Sequence, residues 1–243
     1  MSRLAVCSPF DKSSRWAYLR ASHALDVYPR TPGLERVSAS ELVSPDIEIA
    51  LQRTHTERWQ VSVTELATIA SLAKDRGANR IFEFGTFDGR TTLNLHLNRP
   101  QAQIHTIDFP ADQHTLPDGK TAGELVTDEA SSDGGVTKLH GNTLTYDFTP
   151  YLGQQDFVFI DAGHSYRNAK ADTTTALRML EGNEGVVLWH DYATWPGVTR
   201  AVEETPATVA SDASFHWIAD TTLAVMITAP DQPLRLKPQA ADS

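Results

Sequence analysis

The chain has 243 residues, 40% of them hydrophobic, enough for one substantial core and short of what two full domains need. A formal net charge of −10 with no Lys/Arg block lacks the electrostatic footprint of a protein that grips nucleic acid. The single cysteine, Cys7, excludes an intramolecular disulfide and any multi-cysteine metal site.

The opening MSRLAVCSPFDKSSR is apolar only from Leu4 to Val6, too short for a secretory core region. The longest apolar runs, Gly185 to Trp189 and Leu223 to Ile227, are strand-sized, far below the roughly 20 residues of a membrane helix. A cytoplasmic protein with no membrane partner is expected. Residues 1 to 43 are rich in Ser, Arg and Pro and lack a period. With the next stretch they predict an N-terminal segment, 1–60, that serves as an arm or helical lid, a homodimer contact, or both. Ser44 can cap, Pro45 suits a first helical position, and Ile47, Ala50, Leu51 and Thr54 recur at helical spacing, so a helix is predicted from Ser44 to about Arg58.

From residue 61 the pattern becomes an alternation of strands and helices. Ser62-Val63-Thr64-Glu65 has the form of a capping box, followed by an apolar stripe of Leu66, Ile69, Ala70 and Ala73, with Gly77 as the stop. Arg80 to Phe84 reads as a strand, and Gly85 and Gly89 turn it into a helix through Thr91, Leu93 and Leu97. Short strands follow at Ile104–Ile107, Val136–Leu139 and Phe157–Ile160. Next come a helix with Ala169, Thr173, Ala176, Leu177 and Leu180 inward, a strand at Gly185–Trp189 and a helix at Val198–Glu204. Phe215–Ile218 and Leu223–Ile227 are too close for a crossover and must pair antiparallel. The prediction is an open α/β sheet, mostly parallel with a C-terminal antiparallel hairpin and helices on both faces, over residues 61–229, and a loose tail over 230–243.

In such a sheet, ligands sit beyond the carboxyl ends of the strands. Glu83-Phe84-Gly85-Thr86-Phe87-Asp88-Gly89-Arg90-Thr91 occupies the first strand end, where glycines admit a ligand and a helix start faces an anion. Asp108, at the next strand end about 20 residues on, can accept both ribose hydroxyls of an adenosine, although a solvated acid is the plain alternative. His140-Gly141-Asn142-Thr143 and Asp161 follow at the third and fourth strand ends.

Over roughly Val61 to Ile227, EFGTFDGRT, FIDAGHSY and VVLWHDY together resemble the catechol O-methyltransferase-like branch of the class I S-adenosylmethionine-dependent methyltransferases, including its macrolide and sugar O-methyltransferases. The resemblance implies a Rossmann-like sheet of seven strands, S-adenosylmethionine as cofactor and a small-molecule hydroxyl as acceptor. Glu83, Gly85, Thr86, Phe87, Gly89 and Thr91 would surround the methionine end of the cofactor, Asp108 the ribose, and Asn142 with Thr143 the adenine. Phe109-Pro110 would wall the same space, and Asp161 would adjoin it. Metal-dependent members carry magnesium at the positions of Asp161, His190 and Asp191. An imidazole among the ligands suits manganese, iron or zinc better, and a shift of one residue would instead place Asp191 and Tyr192 opposite the family's pair.

The catalytic set implied is His164, Asp161 and Asp191. His164 stands near where relatives carry their catalytic base; as an alternative it caps the helix that follows. Tyr166, Trp189, Tyr192 and Trp195 are candidates for an aromatic acceptor pocket, with Trp189 more readily placed in the core. Two rival readings are an NAD(P)-dependent short-chain-type oxidoreductase, from the Tyr166…Lys170 spacing, and a catalytically silent cofactor-binding domain.

Overall fold

The computed structural model describes residues 32–56, 60–110, 121–126 and 135–238. The first elements are a short strand β1 (Glu35–Val37) and a one-turn helix α1 (Ala39–Leu42). The alternating region contains α2 (Val63–Asp75), β2 (Arg80–Phe84), α3 (Arg90–Asn98), β3 (Gln103–Asp108), β4 (Val136–His140), β5 (Phe157–Ile160), α4 (Tyr166–Leu180), β6 (Val186–Trp189), α5 (Pro196–Glu203), β7 (Ala213–Ile218) and β8 (Ala224–Thr228). Each element read from the sequence between Ser62 and Thr228 is present, with ends shifted by one or two residues, the usual scatter at element ends.

Among the described residues the sheet has eight strands in the order β1-β7-β8-β6-β5-β2-β3-β4. All pairings are parallel except those of β8, which runs antiparallel to both β6 and β7. Seven strands are those expected. The eighth, β1, pairs parallel with β7 through Glu35, Arg36 and Val37, a run too short for a period of two to show in sequence.

Alternation along the central strands sorts the core. Ile81, Phe157, Phe159, Val186 and Leu188 pack with Leu66, Ile69 and Leu72 of α2 and Leu95 of α3. Phe82, Phe84, Val158, Ile160, Val187 and Trp189 pack on the other face with Ala176, Leu177 and Leu180 of α4 and Val198 and Val202 of α5. Strands covered on both sides by helices need apolar residues at every position, which is why these segments read as unbroken apolar runs.

The helix predicted from Ser44 to Arg58 does not form over its described part. Residues 47–56 are irregular, and 57–59 lie outside the described residues. The side-chain amides of Asn94 and Asn98 explain the difference. Asn94 accepts from the Gln52 N–H at 2.8 Å and donates to the Gln52 carbonyl at 3.1 Å; Asn98 does the same to Ala50, at 3.0 and 2.8 Å. Four residues of helix advance about 6 Å and two residues of extended chain about 6.6 Å, so an i, i+4 pair of asparagines matches alternate residues of an extended segment. Those backbone groups are thereby paired without a helix.

The expected loose tail is also corrected over its described part. Leu234 is fully buried, its N–H donates to the Asn183 carbonyl at 2.8 Å, and its own carbonyl accepts from Gly182. Leu236 forms a bridge with Val209. An apolar side chain every second residue lets this segment cover the end of the core.

Candidate active site at the carboxyl ends of the strands

The ends of five adjacent strands converge. Backbone hydrogen bonds join Gly85 to Ile107, Asp161 to Phe84, Gly141 to Asp108 and His190 to Ile160, all between 2.8 and 3.0 Å. Gly85 has φ +93°, and a Cβ there would lie 2.0 Å from the Asp161 carbonyl oxygen, so only glycine lets the β2 and β5 ends approach this closely.

The first turn is held from below and from the side. Glu83 is fully buried on the α2/α3 face. Its Oε2 accepts from the hydroxyls of Thr92 and Thr106, the latter at 2.7 Å, and Thr106 meets the Thr86 hydroxyl at 2.7 Å. Burial pushes the Glu83 carboxyl up to about 8, and its Oε1 has no hydrogen-bond partner among the described residues. Glu83 and Thr86 therefore brace the turn from within. At its rim, Phe87 has φ +49° and donates its N–H to Asp108 Oδ2 at 2.8 Å, while Phe109 donates to Asp108 Oδ1 at 2.7 Å. Gly89 is the N-cap of α3 in the left-handed region, and Thr91 lies in the first turn of that helix. Phe109 is exposed beside Asp108, and Asn142 is exposed at the neighbouring strand end, where its Oδ1 accepts from Leu144 and shapes the turn containing Thr143.

A second group of polar side chains lies after β5 and β6. His164 Nε2 is 2.7 Å from Asp191 Oδ2, and its ring stacks on Trp195 with centroids 5.1 Å apart. Burial disfavours a charged His164, but the Asp191 carboxylate outweighs it and raises the pKa above that of a free imidazole. Asp191 is held well below the usual carboxylate range by its hydrogen bond to His164 and by the nearby His190, again against the effect of burial. His190 Nδ1 is 3.2 Å from Asp161 Oδ1 and 3.7 Å from Asp191 Oδ2. Despite burial, these carboxylates and Glu65 hold the His190 pKa well above 6.5. One ligand atom each from Asp161, His190 and Asp191 lie within 4.8 Å of one another. Two carboxylates and an imidazole converging this closely are a donor set that fits a divalent cation.

His164 does not cap the following helix. Ser165 does, accepting from the Asn168 N–H at 3.2 Å. The aromatic candidates divide. Trp195 stacks on His164, whereas Trp189 and Tyr192 are buried in the core, with Trp189 donating to Thr173 and Tyr192 to Glu203. Tyr166 donates to Glu204 Oε2 at 2.7 Å, and Lys170 reaches the same oxygen at 3.0 Å, so that pair is committed to a carboxylate on α5.

Two residues of this group carry no signal as functional residues in the sequence. Glu65 there is only a helix cap. In the fold its Oε2 lies 3.4 Å from His190 Nε2 and its Oε1 accepts from Thr222 through both N–H and hydroxyl, at 2.7 and 2.8 Å. Thr222 sits in the β7–β8 turn, where its hydroxyl also accepts from the Asp191 N–H at 3.2 Å.

Residues 82–192, which span both halves of this site, match the family model described as a methyltransferase domain. That stretch is similar to methyltransferase domains. No curated protein matches the chain. Among solved structures, the chain is similar to cofactor-bound Rv0187 from MTB, with a TM-score of 0.53 and 21% identity over 72% of this chain and 84% of that one. It is likewise similar to the SAH-bound methyltransferase PaMTH1 of Podospora anserina (TM-score 0.50, 16% identity, 70% and 80% covered). A third is the O-methyltransferase TomG of Streptomyces achromogenes, involved in tomaymycin synthesis and solved with SAM (TM-score 0.53, 17% identity, 79% and 99% covered). At these identities the likeness is one of fold. The chain has the mostly parallel Rossmann-like sheet and terminal antiparallel hairpin expected from the sequence, and the committed Tyr166–Glu204–Lys170 contacts leave the oxidoreductase reading without support.

Proposed function

We propose that the chain is an S-adenosylmethionine-dependent O-methyltransferase acting on the hydroxyl of a small molecule. The observation that carries this reading is the His164–Asp191 contact at 2.7 Å, at the same sheet edge as the Gly85 turn and Asp108. The SAH-bound and SAM-bound neighbours support the cofactor, and the O-methyltransferase among them supports the bond formed.

The residues we assign to the cofactor are Gly85, Phe87, Gly89, Thr91, Asp108, Phe109, Asn142, Thr143 and Asp161, with Glu83 and Thr86 supporting the turn from within. Each Asp108 oxygen uses one lone pair on a backbone N–H, so the remaining lone pairs are available to two ribose hydroxyls. Gly85 and Gly89 give the turn assigned to the methionine end its left-handed backbone, a Cβ on either meeting neighbouring protein atoms, and Phe109 offers an exposed apolar wall beside Asp108.

Bound S-adenosylmethionine supplies an electrophilic methyl on a positively charged sulfur. With Nε2–H committed to Asp191, His164 presents Nδ1 to the acceptor and takes its hydroxyl proton there. The acceptor oxygen bonds the methyl carbon while the carbon–sulfur bond opens, its electron pair going to sulfur. Asp191 orients the ring and favours the imidazolium that results. Asp161, His190 and Asp191 would hold a divalent cation, which would lower the pKa of a hydroxyl bound to it.

Titration calorimetry with S-adenosylmethionine, followed by detection of S-adenosylhomocysteine release with phenolic and sugar hydroxyl acceptors, tests the reading. Micromolar binding of the cofactor is expected. An absence of binding by the folded protein overturns it.

A further inference from the structure

Glu65 enters the site from α2, on the far side of the imidazole from Asp161 and Asp191. His190 Nδ1 faces those two carboxylates at 3.2 and 3.7 Å, and Nε2 faces Glu65 Oε2 at 3.4 Å. Glu65 itself is almost fully buried and held by backbone groups from two elements. Its Oε2 accepts from the Ser62 N–H at 2.7 Å, and its Oε1 accepts from the Thr222 N–H and hydroxyl. The carboxylate is thus fixed before any ligand arrives.

The ring nitrogen that a carboxylate takes decides which one keeps a lone pair. Metal-ligating histidines usually donate their second N–H to such a partner, which sets the tautomer and makes the ligating nitrogen more basic. An Nε2–H pointing at Glu65 leaves Nδ1 to face the Asp161 and Asp191 oxygens. An imidazole nitrogen between two carboxylates suits manganese, iron or zinc, whereas magnesium prefers an all-oxygen shell.

We propose that Glu65 is the positioning residue for His190, fixing its Nε2–H tautomer so that Asp161, Asp191 and the Nδ1 atom select a first-row transition-metal dication over magnesium. This rests on the reading of those three residues as a metal site. Neither the helix cap nor the hairpin-turn contact of Glu65 requires His190, so the same carboxylate joins a structural task to a selective one.

Equilibrium binding of Mn2+, Zn2+ and Mg2+ to the full chain, wild type and Glu65→Gln, provides the test. Glutamine still satisfies a capping box, and thermal unfolding of the metal-free variant verifies that it folds. Wild type is expected to bind Mn2+ and Zn2+ at least tenfold more tightly than Mg2+. Glu65→Gln is expected to weaken Mn2+ and Zn2+ binding by about 10–100-fold, the usual effect of losing such a partner. Long-range 1H–15N correlation on zinc-loaded wild type should place the His190 proton on Nε2, which a purely structural Glu65 would not determine. Binding of Mg2+ as tight as Mn2+, an unchanged affinity in Glu65→Gln, or a His190 proton on Nδ1 overturns the proposal and leaves the metal site standing. No binding of any of the three cations overturns both.

Discussion

Asp108 and Phe87 are joined by a 2.8 Å hydrogen bond from the Phe87 N–H to Asp108 Oδ2, so the residue assigned to the cofactor ribose also holds the turn assigned to its methionine end. The two halves of the binding surface therefore form or loosen together.

Asp108→Ala removes an acceptor for both Phe87 and Phe109 as well as the contact to ribose. With hydrogen bonds to charged groups contributing about 1.5–3 kcal/mol each, S-adenosylmethionine affinity should fall by about a hundredfold or more in calorimetry. Asp108→Asn keeps one accepting oxygen and should fall between. Unchanged affinity in both variants would remove Asp108 from the cofactor site.

His164→Ala is expected to leave cofactor affinity within about twofold of wild type and to lower kcat by roughly 10²–10⁴, the range for loss of a general base. Stopped-flow single-turnover measurements with saturating acceptor would separate this from slow product release. Full activity would exclude His164 as the base.

Gly85→Ala places a methyl 2.0 Å from the Asp161 carbonyl oxygen at a φ of +93°, where neither backbone can yield cheaply. A loss of on the order of 3 kcal/mol in urea unfolding is expected. A variant as stable as wild type would mean that the β2 and β5 ends are not held together as described.

Asp172 on α4 is buried, and burial pushes its carboxyl up to about 7 against the opposing pull of the nearby Thr143 hydroxyl. The folded state thus binds a proton that the unfolded chain releases near pH 4. Its contribution is fully present below pH 4 and is lost as pH rises to about 7, with a limiting slope of about 1.4 kcal/mol per pH unit. Asp172→Asn should abolish this component. The stability difference between variant and wild type, measured by denaturant unfolding at pH 4.5 and 7.5, should shift in the variant's favour at the higher pH; a difference that does not change with pH refutes it.

The strand ends were legible because burial on both faces leaves continuous apolar runs, and the first polar residue after each run marks its carboxyl end: Asp108, Asp161, His190. What escaped notice depends on partners far away in the chain. Glu65 and His190 are 125 positions apart, and nothing local to a capping box says that its glutamate will also meet an imidazole. The segment around Ala50 and Gln52 has helical spacing, but Asn94 and Asn98 supply its backbone with partners in an extended form, and tertiary hydrogen bonding prevails over propensity. β1 escaped because three residues are too few to show alternation.

That short strand bears on how the protein behaves among its own copies. β7 carries Phe215 and Trp217, and β1 occupies its outer hydrogen-bonding edge, with Arg36 lying over the Trp217 ring at 4.5 Å. A shortened chain beginning at residue 38 would present an open strand edge flanked by aromatic rings, a template for intermolecular pairing. The few residues from 35 to 37 thus cover the backbone edge of β7 beside Phe215 and Trp217.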